Sequence, residues 1–291
     1  MTKLRQRMIE DMRLRNLSPH TQTAYVQAVV VFARHFKQSP EKLTGEHVRQ
    51  YLLYLIQERK ASVSLYNIAR WALRFLYQIT LGRNEQFERL PYARERRRLP
   101  VVLSGEELQR FFAVIRNAKH KAMFMTVYSA GLRVSELVAL HVDDIDSKRM
   151  VIRVRHGKGE KERYAKLSPH LLSVLRSYYR TNKPQGLLFP SQSGTAMNRD
   201  MVNAIIKYLR RRAGLSKPVS SHTFRHSYAT HMLDAGADLR TIQVLLGHQN
   251  IKSTAIYMHV SQAKIDAAPS PLDLMYQQPV EALASTTPTQ A

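Results

Sequence analysis

The hydrophobic positions between residues 18 and 81 recur every three or four residues, the period of helices that pack through one face. Ser18 followed by Pro19 is a typical helix start, and Thr44 is a capping residue ahead of a second helix. Gly82 ends a third helix. The predicted inward positions of the three helices are, in order, Tyr25, Val29, Phe32 and Phe36; Val48, Tyr51, Leu52 and Leu55; and Leu65, Ile68, Ala72, Phe75, Leu76 and Ile79. The pattern predicts a compact domain of three or four helices.

The same period assigns the remaining large side chains of this domain. Six basic residues fall on the predicted surface: Arg34, Arg49, Arg59, Lys60, Arg70 and Arg74. Trp71 and its aromatic neighbours are interpreted as core residues, since large aromatic side chains usually contribute to a core. The alternative is that they form a platform on which nucleic-acid bases stack.

Residues 83–103 interrupt the helical pattern. Pro91 and Pro100 break helices, and four arginines crowd between them: Arg94, Arg96, Arg97 and Arg98. A charge run of this kind is usually a solvated surface. Between two basic domains it can instead follow a phosphate backbone, and we favour that interpretation.

A second domain begins at Ser104, which forms a capping box with Glu107. The helix that follows has an apolar face, and another apolar helix covers 123–129. Gly131 allows the chain to turn, which places Arg133 near the start of a new helix. The apolar positions of the first helix are Leu108, Phe111, Phe112 and Ile115.

The period changes to two after residue 143, which predicts strands. Met150, Ile152 and Val154 alternate with Arg149, Val151, Arg153 and Arg155, and residues 162–167 return as a partner strand. The Gly-rich turn between the two strands carries Lys158 at its tip. Helices resume after Ser168, after Asn198, and ahead of the terminating glycines Gly236 and Gly247. Residues 265–291 are rich in Pro, Thr and Ala and are expected to be largely disordered or to dock on a partner.

Charge is the strongest signal in the composition. The 291 residues include 45 Lys and Arg against 22 Asp and Glu, a net charge of +23. Residues 1–100 carry a net of +11 and the remainder +12, so the excess is not confined to a tail. A basic globular chain most often binds a polyanion, and double-stranded DNA is the first candidate; a merely soluble basic protein is the alternative.

Other features of the composition limit the function classes. Cysteine is absent, which excludes disulfides, thiolate metal sites and a thiol nucleophile. The sequence has no run of about 18 apolar residues, so no membrane span is expected. The charged N-terminus lacks a secretory signal, and a cytoplasmic protein is the simplest interpretation.

The candidate catalytic residues are weak signals singly and make chemical sense together. A metal site at His222 and His226 is disfavoured, because Arg225 lies beside the pair and no carboxylate neighbours it. Transfer of a phosphodiester requires neutralised oxygens, an activated nucleophile and a protonated leaving group. Arginine forks, a phenol, and lysine or histidine donors supply these functions. The complete set is Arg133, Lys158, His222, Arg225, His248 and Tyr257.

Five segments carrying these residues resemble the tyrosine recombinase (phage integrase) family, near its bacterial Xer-like members. They are Ala-Gly-Leu-Arg133-Val-Ser-Glu136-Leu, Gly-Lys158-Gly, His222-Thr-Phe-Arg225-His, Leu-Leu-Gly-His248 and Ser-Thr-Ala-Ile-Tyr257. The resemblance implies a mainly α fold with a small antiparallel β-sheet, composed of a SAM-like core-binding domain and an α+β catalytic domain. The expected divisions are a DNA-binding domain at 1–86, a basic linker at 87–103, the catalytic domain at 104–264 and a tail at 265–291.

The resemblance also implies a role for each residue. Tyr257 is expected to attack the scissile phosphate, giving a 3′-phosphotyrosyl bond and a free 5′-hydroxyl. Arg133 and Arg225 are expected to stabilise the transition state, and Lys158 to act as the general acid. His222 is expected to assist proton transfer at the nucleophile, His248 to hydrogen-bond the phosphate, and Glu136 to support the site from behind. Neither metal nor cofactor is implied.

By the same resemblance, four protomers exchange strands pairwise through a Holliday junction, as a homotetramer or with a related recombinase. The apolar group Leu272, Leu274 and Met275 is expected to dock on a neighbouring protomer. Two other functions stay open on the sequence. One is a type IB topoisomerase-like relaxing enzyme, and the other is a DNA-binding regulator without catalysis.

Overall fold

The computed structural model describes residues 2–83, 92–93, 99–155, 162–248, 250–259 and 261. The chain divides into two compact units, residues 1–97 and 98–291. Several predicted features lie outside the described residues. They are Lys158 with its turn, the linker arginines Arg94, Arg96, Arg97 and Arg98, and the tail at 265–291.

The first unit is helical, as predicted. Helix α1 spans Lys3–Leu14, α2 Pro19–Phe36, α3 Gly45–Gln57 and α4 Val63–Arg74, which continues as a π-helical turn over Phe75–Thr80. The side chain of Ser18 caps α2 by accepting from the Thr21 amide, and Thr44 is the N-cap of α3. Helix α1 was not among the predicted elements, because its sequence is charged on nearly every turn. It nevertheless buries Met8 and Met12 in the core of this unit.

The predicted inward face of α4 is partly wrong. Leu65 and Ile79 are exposed, whereas Tyr66, Ala69, Leu73 and Tyr77 are buried with Ala72 and Leu76. The π-helical turn over Phe75–Thr80 adds a residue to the helical repeat, so a face extrapolated at 3.6 residues per turn misplaces Ile79. Leu65 precedes this turn, and its exposure has no structural explanation here.

The assignment of Trp71 to the core is also wrong. Its side chain is 40% exposed, with the guanidinium carbons of Arg70 and Arg74 at 4.8 Å and 5.5 Å from its ring centroid. Arg70, predicted to lie on the surface, is buried instead. Its guanidinium lies over the indole of Trp71, a cation–π contact that places the arginine and the ring against each other.

The second unit combines helices with a three-stranded sheet. Its first helices are α5 at Gly105–Ala113, α6 at Ala118–Ala130 and α7 at Val134–Val138; the strands are β1 at Ile145–Asp146, β2 at Val151–Val154 and β3 at Arg163–Lys166. The sheet is antiparallel in the order β1-β2-β3, with Val154 opposite Arg163. Strand β1 is two residues long and was not predicted, since so short a segment shows no alternation.

Five more helices follow in the described part of this unit. They are α8 at Pro169–Asn182, α9 at Arg199–Arg212, α10 at Ser221–Asp234, α11 at Leu239–Leu246 and α12 at Lys252–Ala255, which leads into a 3-10 turn at Ile256–His259. Asn198 caps α9, and Gly247 ends α11 in the left-handed conformation, as predicted. Phe224 of α10 packs against Phe111 and Phe124, with ring centroids 5.0 Å and 5.8 Å away. This contact fixes α10 on α5 and α6.

The predicted fold class is confirmed. The described residues form a mainly helical chain with one small antiparallel sheet. Within the described ranges, none of the helices combines the length and the apolar character that crossing a membrane needs.

Candidate active site

Gly131 shapes the backbone at the entrance to the site. It ends α6 with φ +59°, and a Cβ at this position would lie 2.6 Å from the ring of Tyr228 and 2.8 Å from Leu246. Glycine therefore provides both the left-handed turn and the close approach to α10 and α11. The turn leaves Arg133 at the N-cap of α7, as the sequence predicted.

Glu136 collects the basic side chains of the site. Its buried carboxylate accepts from the Arg133 backbone amide at 2.8 Å, from Arg133 Nη1 at 2.6 Å and from Arg163 Nη2 at 2.7 Å. Arg225 Nη1 lies 3.8 Å from the same carboxylate. Three guanidinium groups thus face one negative charge, and the excess of two positive charges makes the site suited to an anion.

Arg225 is oriented from behind by backbone oxygens. Its Nη1 donates to Gly131 O and its Nη2 to Leu246 O, each at 2.6 Å. Its side chain is only 4% exposed. Burial and the charge of Arg133 lower the pKa of Arg225 to about 9, partly offset by Glu136. We regard the group as protonated at neutral pH, because guanidinium does not deprotonate in proteins.

Gly247 and His248 bring the end of α11 into the site. Arg133 Nη2 donates to Gly247 O at 3.3 Å, and a Cβ on Gly247 would lie 2.7 Å from the Arg163 side chain. The Nδ1 of His248 shares a hydrogen bond of 2.9 Å with the hydroxyl of Thr254. Burial and the charges of Arg225 and Arg133 lower the pKa of His248 to about 4, so the ring is neutral at pH 7.

Tyr257 lies in the 3-10 turn after α12 and is 1% exposed. Its hydroxyl shares a hydrogen bond of 3.1 Å with Nδ1 of His226, and its ring is nearly parallel to that of His248 at a centroid distance of 6.4 Å. Burial raises the pKa of Tyr257, while the charges of Arg225 and Arg133 act in the opposite direction. The phenol is therefore protonated at rest and needs a base in order to react.

His222 begins the first turn of α10 and keeps contact with solvent. Partial burial of the ring and the positive charges of Arg225 and Arg133 lower the pKa of His222. Its ring centroid is 6.4 Å from that of His226, one helical turn further on. The structure therefore places five of the six predicted catalytic residues in one site, and Lys158 lies outside the described residues.

Two residues of this site were missed from the sequence. Arg163 was treated only as part of a strand, although its alternation with Ala165 and Leu167 placed it on the inward face. His226 was considered only as a metal ligand paired with His222. Among the described residues, no group of three metal-binding side chains is arranged to hold an ion. The spacing of His226 from Tyr257 along the chain gave no signal of their contact.

Known proteins resemble this chain in sequence and in fold. A model described as phage integrase family matches residues 101–264, and one described as phage integrase, N-terminal SAM-like domain matches residues 4–86. The chain belongs to the phage integrase family. This integrase-family chain is 46% identical to y4qK of Sinorhizobium fredii, over 94% of the chain and 90% of the relative. It is 30% identical to tyrosine recombinase XerD of Oceanobacillus iheyensis, over 86% of the chain and 91% of the relative.

Solved structures share the fold. XerA recombinase is 27% identical with a TM-score of 0.54, covering 95% of this chain and 97% of its own. A complex of the Tn1549 transposon integrase with circular intermediate DNA has a TM-score of 0.72 at 18% identity, covering 87% of this chain and 94% of its own. The predicted family and the predicted enzyme class, a tyrosine-type site-specific DNA recombinase, are confirmed. Neither alternative function is favoured by these comparisons.

Proposed function

We propose that this phage integrase family chain cleaves and rejoins double-stranded DNA through Tyr257, with a 3′-phosphotyrosyl intermediate and a Holliday junction. The observation that supports this most directly is the environment of the Tyr257 side chain. Its hydroxyl is hydrogen-bonded to a histidine, and its ring lies within the field of Arg133 and Arg225. A phosphodiester bound by those two arginines would place phosphorus within reach of the phenolic oxygen.

The remaining residues take complementary roles in this proposal. Arg133 and Arg225 neutralise the non-bridging oxygens, and Glu136 keeps both guanidinium groups oriented. The neutral imidazoles of His222 and His248 donate hydrogen bonds at the edge of the phosphate. Lys158, carried by the Gly-rich turn between β2 and β3, protonates the 5′-oxygen as it leaves.

The proposal extends to the assembly of the chain. Residues 1–86 and residues 104–264 would both bind the duplex, and the arginines of the 87–103 linker would follow the phosphate backbone. Two cleaved duplexes require four active sites, so we propose a tetramer on DNA, formed by this chain alone or with a related recombinase. Acting on DNA, the protein would work in the cytoplasm.

A nicked suicide duplex tests the nucleophile. The full chain incubated with this DNA in EDTA should form a covalent protein–DNA complex, detected as a shifted band on a denaturing gel. Tyr257→Phe should abolish the band, because phenylalanine has no oxygen to attack phosphorus. Tyr208→Phe, which alters an exposed tyrosine, is the control and should form the complex. A complex that survives Tyr257→Phe would show that another residue is the nucleophile.

Changing the leaving group tests whether Lys158 is the general acid. Lys158→Ala should cleave ordinary DNA slowly, since the 5′-alkoxide then leaves without a proton. A 5′-bridging phosphorothiolate leaves as a thiolate and needs no proton, so this substrate should restore the rate of the variant. If the variant remains slow on the sulfur substrate, the general acid lies elsewhere.

A further inference from the structure

The histidine that contacts the nucleophile is not the one that the family motif indicates. His222 and His226 lie four residues apart on α10, so both rings are on one face of the helix. The motif places His222 at the nucleophile, whereas Nδ1 of His226 is 3.1 Å from the hydroxyl oxygen of Tyr257. That distance is within the hydrogen-bond reach expected between a general base and the proton it removes.

We propose that His226 accepts the phenolic proton of Tyr257 during DNA cleavage. The inference rests on the proposed function, since it assigns the base for that reaction. The O–H bond of Tyr257 breaks and its proton moves to Nδ1 of His226, while the phenolic oxygen bonds to phosphorus. The bond from phosphorus to the 5′-oxygen breaks, and that oxygen takes a proton from the general acid. Rejoining reverses each step, and His226 returns the proton to Tyr257.

The surroundings of His226 keep it ready to accept a proton. The groups facing it are His222 and Arg225 on its own helix, Tyr257 on the 3-10 turn, and His248 after α11. Burial, His222 and Arg225 lower the pKa of His226 to about 4. The imidazole is therefore neutral at pH 7. With its proton on Nε2, the lone pair of Nδ1 points along the existing hydrogen bond.

A weak base suffices for this step because the phenolic proton is transferred only in the transition state. At rest a phenol with a raised pKa would not give its proton to an imidazole of low pKa. As the bond to phosphorus forms, the phenolic oxygen becomes an ester oxygen and loses its affinity for the proton. The anionic phosphate also adds negative charge close to His226, which stabilises the imidazolium.

The site offers a matched control for the histidine–tyrosine bond. On the same helix, Nδ1 of His231 shares a hydrogen bond of 2.8 Å with the hydroxyl of Tyr128. Asparagine at either position keeps an acceptor oxygen near the place of Nδ1 and removes its basicity. His226→Asn and His231→Asn therefore change the same kind of contact, but only the first touches the nucleophile.

The test is single-turnover cleavage of a nicked duplex with a 5′-bridging phosphorothiolate, from pH 6 to pH 9. This substrate needs no general acid, so the phenolic proton is the one that matters. His226→Asn should react about 100-fold more slowly than wild type at pH 7, which is within the usual effect of a general base. Its rate should rise about tenfold per pH unit as hydroxide generates the phenolate. The wild-type rate should stay nearly flat, and His231→Asn should match it.

Several outcomes would overturn the proposal. A His226→Asn variant with a wild-type rate and a flat profile would make the hydrogen bond merely positional. A faster variant would make it a restraint on the nucleophile. A steep profile for His222→Asn, with a flat one for His226→Asn, would return the role to His222. If the wild-type chain forms no covalent complex at all, it is the proposed function that fails.

A second experiment leaves residue 226 unchanged, so its result does not depend on whether His226→Asn folds correctly. The wild-type chain should cleave the sulfur substrate more slowly in D2O than in H2O, because the phenolic proton still moves in the transition state. The same isotope effect should persist in His222→Asn. Its absence in wild type, or its loss in His222→Asn, would contradict proton transfer to His226.

Discussion

The carboxylate of Glu136 interacts with all three arginines of the site. Its two carboxylate oxygens accept from Arg133 and Arg163, and its Oε2 lies 3.8 Å from Arg225 Nη1. A buried carboxylate with hydrogen-bonded guanidinium partners becomes costly when a partner is removed, because its charge then lacks compensation in a medium of low polarity. Arg163 also donates to Leu245 O at 2.7 Å, so it ties the end of α11 to α7.

Arg163→Met should therefore destabilise the protein and slow the reaction. Methionine keeps much of the length and removes both hydrogen bonds, so the free energy of unfolding should fall by about 3 kcal/mol. Cleavage should slow by up to about 100-fold, since a small displacement of the arginines misaligns the phosphate. Urea denaturation and covalent trapping measure the two effects.

Arg153→Met is the control for that variant. Arg153 pairs with buried Asp144 at 3.2 Å but is itself 40% exposed, and Asp144 keeps Arg155 at 2.6 Å. Its loss should cost less than about 1 kcal/mol. Equal losses for the two variants would mean that Arg163 has no special part in the site.

The buried histidines make the stability of the protein depend on pH. The pKa of His226 and of His248 is about 4 in the folded protein, below the ordinary value of 6.5. Between these values the unfolded chain binds more protons, so stability is present above pH 6.5 and is lost as the pH falls towards 4. Each histidine contributes less than about 1.4 kcal/mol per pH unit, because both rings keep some contact with solvent.

His226→Asn should flatten this dependence. Urea denaturation between pH 7 and pH 4.5 should show a smaller loss of stability for the variant than for wild type. His170→Asn alters an exposed histidine and should follow the wild-type curve. Parallel curves for wild type and His226→Asn would show that His226 titrates alike in the folded and unfolded chains.

At the scale of an element, the turn between α6 and α7 determines where Arg133 stands. Gly131 has φ +59°, its carbonyl accepts from Arg225, and the rings and methyls of α10 and α11 leave no room for a Cβ. Gly214 has a similar φ of +63° but nothing within 4 Å of an added Cβ. Alanine at Gly214 would therefore introduce backbone strain alone, whereas alanine at Gly131 would introduce backbone strain and a steric clash.

Gly214→Ala should lower the free energy of unfolding by about 1–2 kcal/mol, the cost of a left-handed alanine. Gly131→Ala should lower it by a further 1–3 kcal/mol or so, because Tyr228 and Leu246 must move. It should also slow DNA cleavage, since α7 and Arg133 shift with the turn. Denaturation and trapping of both variants test this; equal effects would mean that the site absorbs the added methyl.

The elements that the sequence predicted well are those with a local signal. Ser18, Thr44, Ser104 and Asn198 each stand at the N-cap expected of them. The side chains of Ser18, Ser104 and Asn198 accept from amides three residues further on, which is a local signal. The π-helical turn after α4 and the two-residue strand β1 have no such signal. They depend on packing and on pairing with distant residues, which a local window does not contain.

The candidate catalytic residues were proposed from a different kind of signal. Its residue types were recognised through five short segments, whereas their mutual contacts depend on the folded unit. Arg163 reaches Glu136 across 27 positions, and His226 reaches Tyr257 across 31. Neither contact has a fixed sequence spacing, so only the structure shows which histidine contacts Tyr257.

At the scale of the whole molecule, positive charge is distributed over both units. The net charge is +23, with +10 in residues 1–97 and +13 in residues 98–291. A ligand that neutralises this charge must be an extended polyanion rather than a single phosphate. Its binding should release condensed counterions from the DNA and should therefore weaken steeply as salt is added.

A salt titration of duplex binding tests this distribution. If the chain contacts about six phosphates, affinity should fall about 1,000-fold between 50 mM and 200 mM salt. Tyr257→Phe keeps every charge of the chain and should give the same slope, which separates binding from covalent capture. The slope is measured by fluorescence anisotropy on a labelled duplex. A flat response would mean that few phosphates are contacted, and the two units would then not share the duplex as proposed.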